Sequence, residues 1–253
     1  MKLTVLGASA VQPNPGGACA GYLIDGGGGS ILVDCGSGVA AHLQQLTDPF
    51  ELRAIIVSHC HPDHFVDLVA LRYGFLFAPR RRPPPRIEVH ALSSTLRVLE
   101  RVGRALAPEG GFWDCFELKP FDFGGAVEAA GVQVTFAPSR HYVECAAMRI
   151  EAEGGAIAYT ADTGPSEDVI RLATGVDLIV AECTLASRAG SEDEWGHLAP
   201  AEAADLAARA GCGRLILSHY WAANDPAALE RSAAGVFPGT VMMAKELESH
   251  VVP

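Results

Sequence analysis

The run His59–Cys60–His61–Pro62–Asp63–His64 puts three imidazoles and a carboxylate into one short turn of chain. With 9 His and 13 Asp in 253 residues, chance gives roughly 6 × 10⁻⁴ matches to H-x-H-x-D-H, so the run is not composition noise. Such a cluster is either a solvated surface loop or a holder of transition-metal ions, and this residue mix suits the second. His59 and His61 are two apart and share one side of an extended chain. Asp63 and His64 fall where the chain turns into a helix and point elsewhere. Two pairs aimed in two directions suit two metals better than one.

The flanking elements must position that cluster. Arg53 to Ser58 contains Ala54–Val57, a continuous apolar run suited to a buried parallel strand. The loop at its carboxyl end is where open α/β sheets place ligands. Phe65, Leu68, Val69, Leu71, Phe75 and Leu76 then repeat with helical spacing over 65–78, and Pro62 stiffens the turn before them.

Three more strand-like runs end in a metal-competent side chain. His141 follows V-T-F-A-P-S-R, Asp162 closes I-A-Y-T-A-D, and His219 closes R-L-I-L-S-H. A lone histidine at a strand end is an ordinary structural residue. Three such ends added to the cluster give seven ligands, enough for two ions with a position left open. Asp34 closes I-L-V-D and is either a turn-capping residue or a carboxylate that orients a ligating imidazole. The second use is favoured, because ligating histidines commonly donate their other N–H to such a group. Glu182 closes D-L-I-V-A-E, and His197 lies in W-G-H-L-A-P ahead of an Ala-rich helix. His197 is a candidate proton donor with Glu182 fixing its tautomer, against the plainer reading of a loop histidine stacked on Trp195.

Strand-like runs at 3–6, 22–24, 31–34, 55–58, 87–90, 132–137, 146–151, 157–161, 178–182, 215–218 and 241–244 alternate with helical patterns at 38–46, 65–78, 94–106, 166–173, 201–210 and 226–234. Gly26–Gly29 and Glu153–Gly155 are hairpin turns. Hairpins at the front and middle, with helix–strand alternation later, predict mixed sheets covered by helices. No linker divides the 253 residues, so one domain, 1–253, is expected. The opening M-K-L-T-V-L-G reads as a first strand and not a signal peptide. No apolar run approaches the ~20 residues of a membrane span. Seven scattered cysteines without C-x-x-C pairs favour reduced thiols and a cytoplasmic setting over a disulfide framework. Cys35 and Cys60 lie beside candidate site residues, where buried bystander thiols are the commoner case. The net charge of −11 argues against broad nucleic-acid binding. Arg80–Arg82 with Arg86 is the one basic cluster, either a solvated Pro-rich connection or an anion-steering rim. The loops 79–86 and 107–113 are candidate pocket walls.

The residues Asp34 in L-V-D-C-G, His59–His64, His141, Asp162 in T-A-D-T-G and His219 in L-S-H, in this order, resemble the metallo-β-lactamase superfamily. The resemblance runs nearly the whole chain and implies an α/β (α+β) four-layer αββα sandwich with mixed sheets and a dinuclear site along one edge. It implies that His59, His61 and His141 hold one ion, that Asp63, His64 and His219 hold the other, and that Asp162 bridges. The stretches D-L-I-V-A-E-C-T-L and G-H-L-A-P-A-E-A-A-D-L-A are most similar to the ribonuclease Z-like branch, in which a matching Glu and His assist proton transfer; they map onto Glu182 and His197. That branch's Gly/Pro-containing tRNA-gripping arm has no match between the metal-loop helix and His141. With the acidic charge, this makes tRNA a poor candidate partner, and a small-molecule substrate is expected. The oligomeric state is open at this point; a homodimer is suggested by family analogy alone.

The chemistry such a site suits is hydrolysis. Two divalent ions, with zinc expected and manganese or iron also accepted by His/Asp ligands, generate hydroxide at neutral pH and clamp an in-line displacement. Asp63 can orient that hydroxide while His197 protonates the leaving group. The leading expectation is a phosphodiesterase on a small or cyclic nucleotide or similar diester, because an alkoxide leaving group gains most from an acid. A thioester, lactone or lactam hydrolase is the alternative. A noncatalytic metal-binding protein on the same fold is a third reading from another class.

Overall fold

A computed structural model describes residues 1–79, 86–188 and 195–253. Arg80–Arg82 therefore lie outside the described residues, and Arg86 is exposed. Fourteen described strands form two seven-stranded sheets.

The first sheet contains β1 (Lys2–Gly7), β2 (Gly21–Asp25), β3 (Ser30–Val33), β4 (Leu52–Val57), β5 (Ile87–Leu92), β6 (Phe116–Phe121) and β14 (Ser249–Val251), in the order β14-β1-β2-β3-β4-β5-β6. The second contains β7 (Ala126–Ala129), β8 (Val132–Pro138), β9 (Ala146–Ala152), β10 (Gly155–Tyr159), β11 (Leu178–Glu182), β12 (Arg214–Ser218) and β13 (Thr240–Met243), in the order β13-β12-β11-β10-β9-β8-β7. Each sheet is antiparallel on its hairpin side and parallel where helices make the crossovers, from β3 to β6 and from β10 to β13. A parallel connection needs a crossover, and helices supply it.

Strand alternation then builds three apolar layers. In β4, Ala54 and Ile56 face a core shared by both sheets, whereas Ile55 and Val57 face α1 (Val39–Leu46), α3 (Asp67–Phe77) and α4 (Ser93–Leu106). In β11, Leu178 and Val180 enter the shared core, whereas Ile179 and Ala181 face α5 (Glu167–Leu172), α6 (Pro200–Ala210) and α7 (Pro226–Ala234). Strands buried on both faces read as unbroken apolar runs for this reason. The result is helix, sheet, sheet, helix: the four-layer αββα sandwich that the resemblance implies.

The short helix α2 (Pro62–Phe65) starts inside the histidine run, so the predicted 65–78 helix begins earlier and in two pieces. Periodicity misses β6, β7 and β14, and all three are sheet edges. β7 and β14 are short, β6 carries Pro120, and all three are half-exposed, so they lack the buried-strand pattern. Phe112 and Trp113, in a loop expected to wall a pocket, are instead buried in the outer core of the first sheet, where Trp113 Nε1 donates to the Leu99 carbonyl at 2.7 Å. Among the described residues, no helix is long and apolar enough to cross a membrane.

Candidate metal centre

Six strands send a polar residue to one seam between the sheets. Asp34 follows β3, His59 follows β4, His141 follows β8, Asp162 follows β10, Glu182 ends β11 and His219 follows β12. The sheets are joined there by main chain. The Ala146 N–H donates to the Ser58 carbonyl at 3.1 Å, and His59 forms a β-bridge with Cys145. Asp34, Ala161 and His219 adopt left-handed φ of 58°, 50° and 51°. For a residue with a Cβ this costs about 1–2 kcal/mol, and such strain gathers where side-chain direction matters more than backbone comfort.

The metal loop is held from behind by the segment after β3. The Cys35 N–H donates to the His64 carbonyl at 2.7 Å, and the Asp67 N–H donates to the Cys35 carbonyl at 3.0 Å. A Cβ on Gly36 would lie 1.9 Å from the Asp63 carbonyl oxygen, so only glycine permits this approach.

All seven sequence-predicted ligands converge, in two groups. His59, His61, His141 and Asp162 form one; Asp63, His64 and His219 form the other. In the first, His61 Nδ1 is 3.1 Å from His59 Nε2 and from His141 Nε2, and Asp162 Oδ2 is 3.8 Å from His59 Nε2 and His141 Nε2. In the second, His219 Nε2 is 3.3 Å from His64 Nε2 and 3.2 Å from Asp63 Oδ2, while Asp63 Oδ2 is 3.6 Å from His64 Nε2. Asp162 Oδ1 reaches this group at 3.3 Å from His64 Nε2 and 3.5 Å from His219 Nε2. Four ligands 2.0–2.1 Å from a tetrahedral ion sit about 3.3–3.4 Å from one another, and the observed separations scatter about that edge. The two oxygens of Asp162 thus address different groups.

The donors are also prepared chemically. His64 Nδ1 donates to Asp34 Oδ2 at 2.8 Å, and His141 Nδ1 donates to the Gly196 carbonyl at 2.9 Å. His59 Nδ1 meets Ser58 Oγ at 3.0 Å, and His219 Nδ1 meets Thr184 Oγ1 at 2.9 Å. Those hydroxyls spend their own protons on Asp34 Oδ2 at 2.8 Å and Glu182 Oε2 at 2.6 Å, so each accepts from its histidine. Four Nε2 lone pairs are left facing the seam. Among the described residues, Asp162 Oδ1 is buried without a hydrogen-bond partner, a costly state that a cation relieves. The set therefore fits two divalent ions.

Electrostatics agree for His59, His61 and His141. Burial, reinforced by the neighbouring imidazoles, pushes His59 well down from its ordinary value. Burial also lowers His61 and His141, which favours neutral, ligating rings. Burial would lower His64 too, but Asp162 and Asp34 overcome it and hold that ring well up. For Asp63, burial opposes ionisation, yet the His219 hydrogen bond and the His64 and His219 charges bring it to about 2. Asp162 is likewise held well below the carboxylate range, with burial outweighed first by His219 and then by His64.

Asp34 takes four hydrogen bonds: Ser58 N–H at 2.7 Å, and Ser58 Oγ, Tyr159 Oη and His64 Nδ1 at 2.8 Å. Glu182 takes His197 Nδ1 at 2.9 Å, Thr163 N–H at 2.8 Å, Thr184 N–H at 3.1 Å and Thr184 Oγ1. A ring nitrogen of His197 lies with Asp162 and His219 ligand atoms in a group spanning no more than 4.8 Å. Burial lowers His197, but the Glu182 hydrogen bond and charge more than offset it, and the net shift is upward. Trp195 pairs with Tyr142. Cys35 is buried and Cys60 half-buried, and all seven thiols are free. Sequence reading misses Ser58, Tyr159, Thr184 and the Gly196 carbonyl. Only Tyr159 carries a signal: a tyrosine in a buried strand needs a partner for its hydroxyl.

A beta-lactamase superfamily domain model matches residues 29–220. The probable metallo-hydrolase YhfI of Bacillus subtilis is 30% identical over 253 residues, with 97% of each chain covered. Its crystal structure superposes with a TM-score of 0.87 at 28% identity over 99% of both chains. Ribonuclease Z of Mycobacterium bovis is 26% identical over 270 aligned residues, covering 98% of this chain and 96% of that one. A PhnP-family diphosphatase shares the fold at a TM-score of 0.79 and 18% identity, covering 98% of this chain and 96% of that one. Matched along three quarters of its length and carrying its histidines and aspartates at the seam of the shared fold, the chain belongs to the beta-lactamase superfamily, in its metallo-β-lactamase form.

Proposed function

We propose that the protein is a dinuclear-metal phosphodiesterase acting on a small or cyclic nucleotide or a similar diester. That it is a metal-dependent hydrolase follows from its family and its donor set together. His59, His61 and His141 would hold one ion and Asp63, His64 and His219 the other, with Asp162 shared. When bound, the two ions supply Lewis acidity, lowering the pKa of a water and neutralising charge on the phosphoryl oxygens.

The observation that carries the diester reading is the Glu182–His197 pair beside that donor set. With Nδ1 given to Glu182, His197 presents Nε2, and its raised pKa keeps a proton there to hand on. An alkoxide leaving group needs such an acid, whereas thiolate departure does not. Asp63 is 8% exposed against 2% for Asp162, so it is the carboxylate that meets solvent and can orient the attacking water. Asp34 fixes the His64 ring, and Thr184 couples His219 to Glu182. The relatives named for diester or diphosphate chemistry, ribonuclease Z and the PhnP-family enzyme, support this direction.

The test is hydrolysis of bis(p-nitrophenyl) phosphate by zinc-, manganese- or iron-loaded protein, with His64→Ala as control. Metal-dependent turnover that the variant loses is expected. Protein shown to hold two metals but inert with all three overturns the diester reading and redirects the search to thioesters and lactones.

A further inference from the structure

We infer that Tyr142 and Trp195 form a stacking platform for the base of a nucleoside-bearing substrate, on the side from which the leaving group departs. This rests on the diesterase reading above and adds the substrate's distinguishing chemistry. Tyr142 follows directly after the ligand candidate His141, and their ring centroids are 5.0 Å apart. The same tyrosine lies 5.6 Å from His197, the candidate acid. Trp195 meets Tyr142 edge-on at 5.1 Å, so two rings extend outward from the acid in sequence. They remain 43% and 36% exposed, although Tyr142 packs against His141 and His197 of a buried polar site.

The wall is built rather than incidental. A Cβ on Gly196 would lie 2.8 Å from the Tyr142 ring, and a Cβ on Gly164 would lie 1.9 Å from the Trp195 carbonyl. Two glycines therefore let the Trp195 loop close onto Tyr142. The Arg140 guanidinium lies 5.4 Å from the Trp195 ring centre, a cation–π contact that steadies the ring from its own side of the wall. Half-open aromatic rings beside a phosphate-handling centre match how proteins hold bases without reading their edges, since every base has a π face. His197 lies against Tyr142, so a group that takes its proton is within reach of this wall, and the platform grips the nucleoside while the seam holds the phosphate.

Binding tests this separately from turnover. Zinc-loaded wild type, Tyr142→Leu and Trp195→Leu are titrated calorimetrically with adenosine 5′-monophosphate and with ribose 5-phosphate, which carries the same phosphate without a base. Zinc content and melting temperature show that each variant is folded and loaded. Wild type is expected to prefer the nucleotide by about tenfold to a hundredfold, the range that base–aromatic stacking supplies. Each variant should lose most of that preference while its ribose 5-phosphate affinity stays within twofold. A wild type that binds the two equally, or binds neither, overturns the platform, as do variants that keep the preference. A base preference that depends on both rings, in protein that cleaves no diester, upholds the platform and removes the hydrolytic assignment instead.

Discussion

Replacing Asp34 by asparagine should separate the two proposed ion positions. The Asp34 carboxylate is fully buried; its Oδ2 accepts from three donors and its Oδ1 from the Ser58 N–H alone. An asparagine keeps the shape and tolerates the φ of 58°. It turns its carbonyl to the three-donor side and sets its NH₂ against the Ser58 N–H. That leaves one buried donor opposed, worth about 1–3 kcal/mol, and removes the charge that makes His64 a strong ligand. Loss of such an orienting partner weakens metal binding by about tenfold to a hundredfold, or ~1.4–2.7 kcal/mol. The loss should fall on the ion held by Asp63, His64 and His219. Ser58 Oγ still bonds to residue 34 and still accepts from His59, so the His59, His61 and His141 position should keep its affinity. Zinc titration in competition with a chromophoric chelator, with the metal count checked by mass spectrometry, reads this as one tight site and one weakened site. Equal weakening of both sites, or no weakening at all, would refute the route from Asp34 through His64.

Four further outcomes follow from the geometry and the donor set. Replacing His197 by alanine should cut turnover of diesters with alkoxide leaving groups by about 10²–10⁴-fold and barely touch p-nitrophenolate release; an equal loss on both excludes it as the acid. Because Glu182 holds His197 above its ordinary value of 6.5, activity on alkoxide substrates should persist below that value and fall as pH rises through the raised pKa; Glu182→Gln should move the falling limb to lower pH, and an unmoved limb in a pH–rate profile counts against the pair. The pair's contribution to stability has the same sign, present below 6.5 and fading above the raised pKa. In Gly36→Ala the new Cβ meets backbone that cannot yield, so the protein should lose the Asp63–His64 ion or fail to fold, and a variant that retains two zincs contradicts the close approach. Zinc at a hundredfold excess over its Kd should add about 2.7 kcal/mol per site, raising Tm by about 5–11 °C for each ion; a Tm insensitive to EDTA argues against metal loading.

Much of this was legible in the sequence, for identifiable reasons. The convergent histidines and aspartates were readable as candidates because each closes an apolar strand or sits in the histidine run, so pattern and chemistry coincide. Glu182 and His197 were readable as strand-end and loop groups, though only the fold shows them bonded. The edge strands β6, β7 and β14 were not, because half-exposed chain carries no alternation strong enough to notice. Thr184 and Ser58 were not, because a hydroxyl next to a strand end looks the same whether it orients an imidazole or meets water. Arg80–Arg82 stay outside the described residues, so the basic rim is neither placed nor dismissed.

The ligand groups have one property that bears on how the molecule comes apart. Each draws on both halves of the sandwich: His59 and His61 from the first sheet with His141 and Asp162 from the second, and Asp63 and His64 with His219 and Asp162. Neither sheet owns a complete coordination sphere. An ion held by the proposed ligands would be a rivet across the seam, and its binding energy would oppose separation of the sheets more than fraying within either one. During synthesis, the early histidine run emerges long before His219, so it can offer an ion only a partial shell. On the proposed ligand set, tight capture would wait for the sheets to meet, which would tie metal uptake to assembly of the two layers and make a loaded centre a report that assembly is complete.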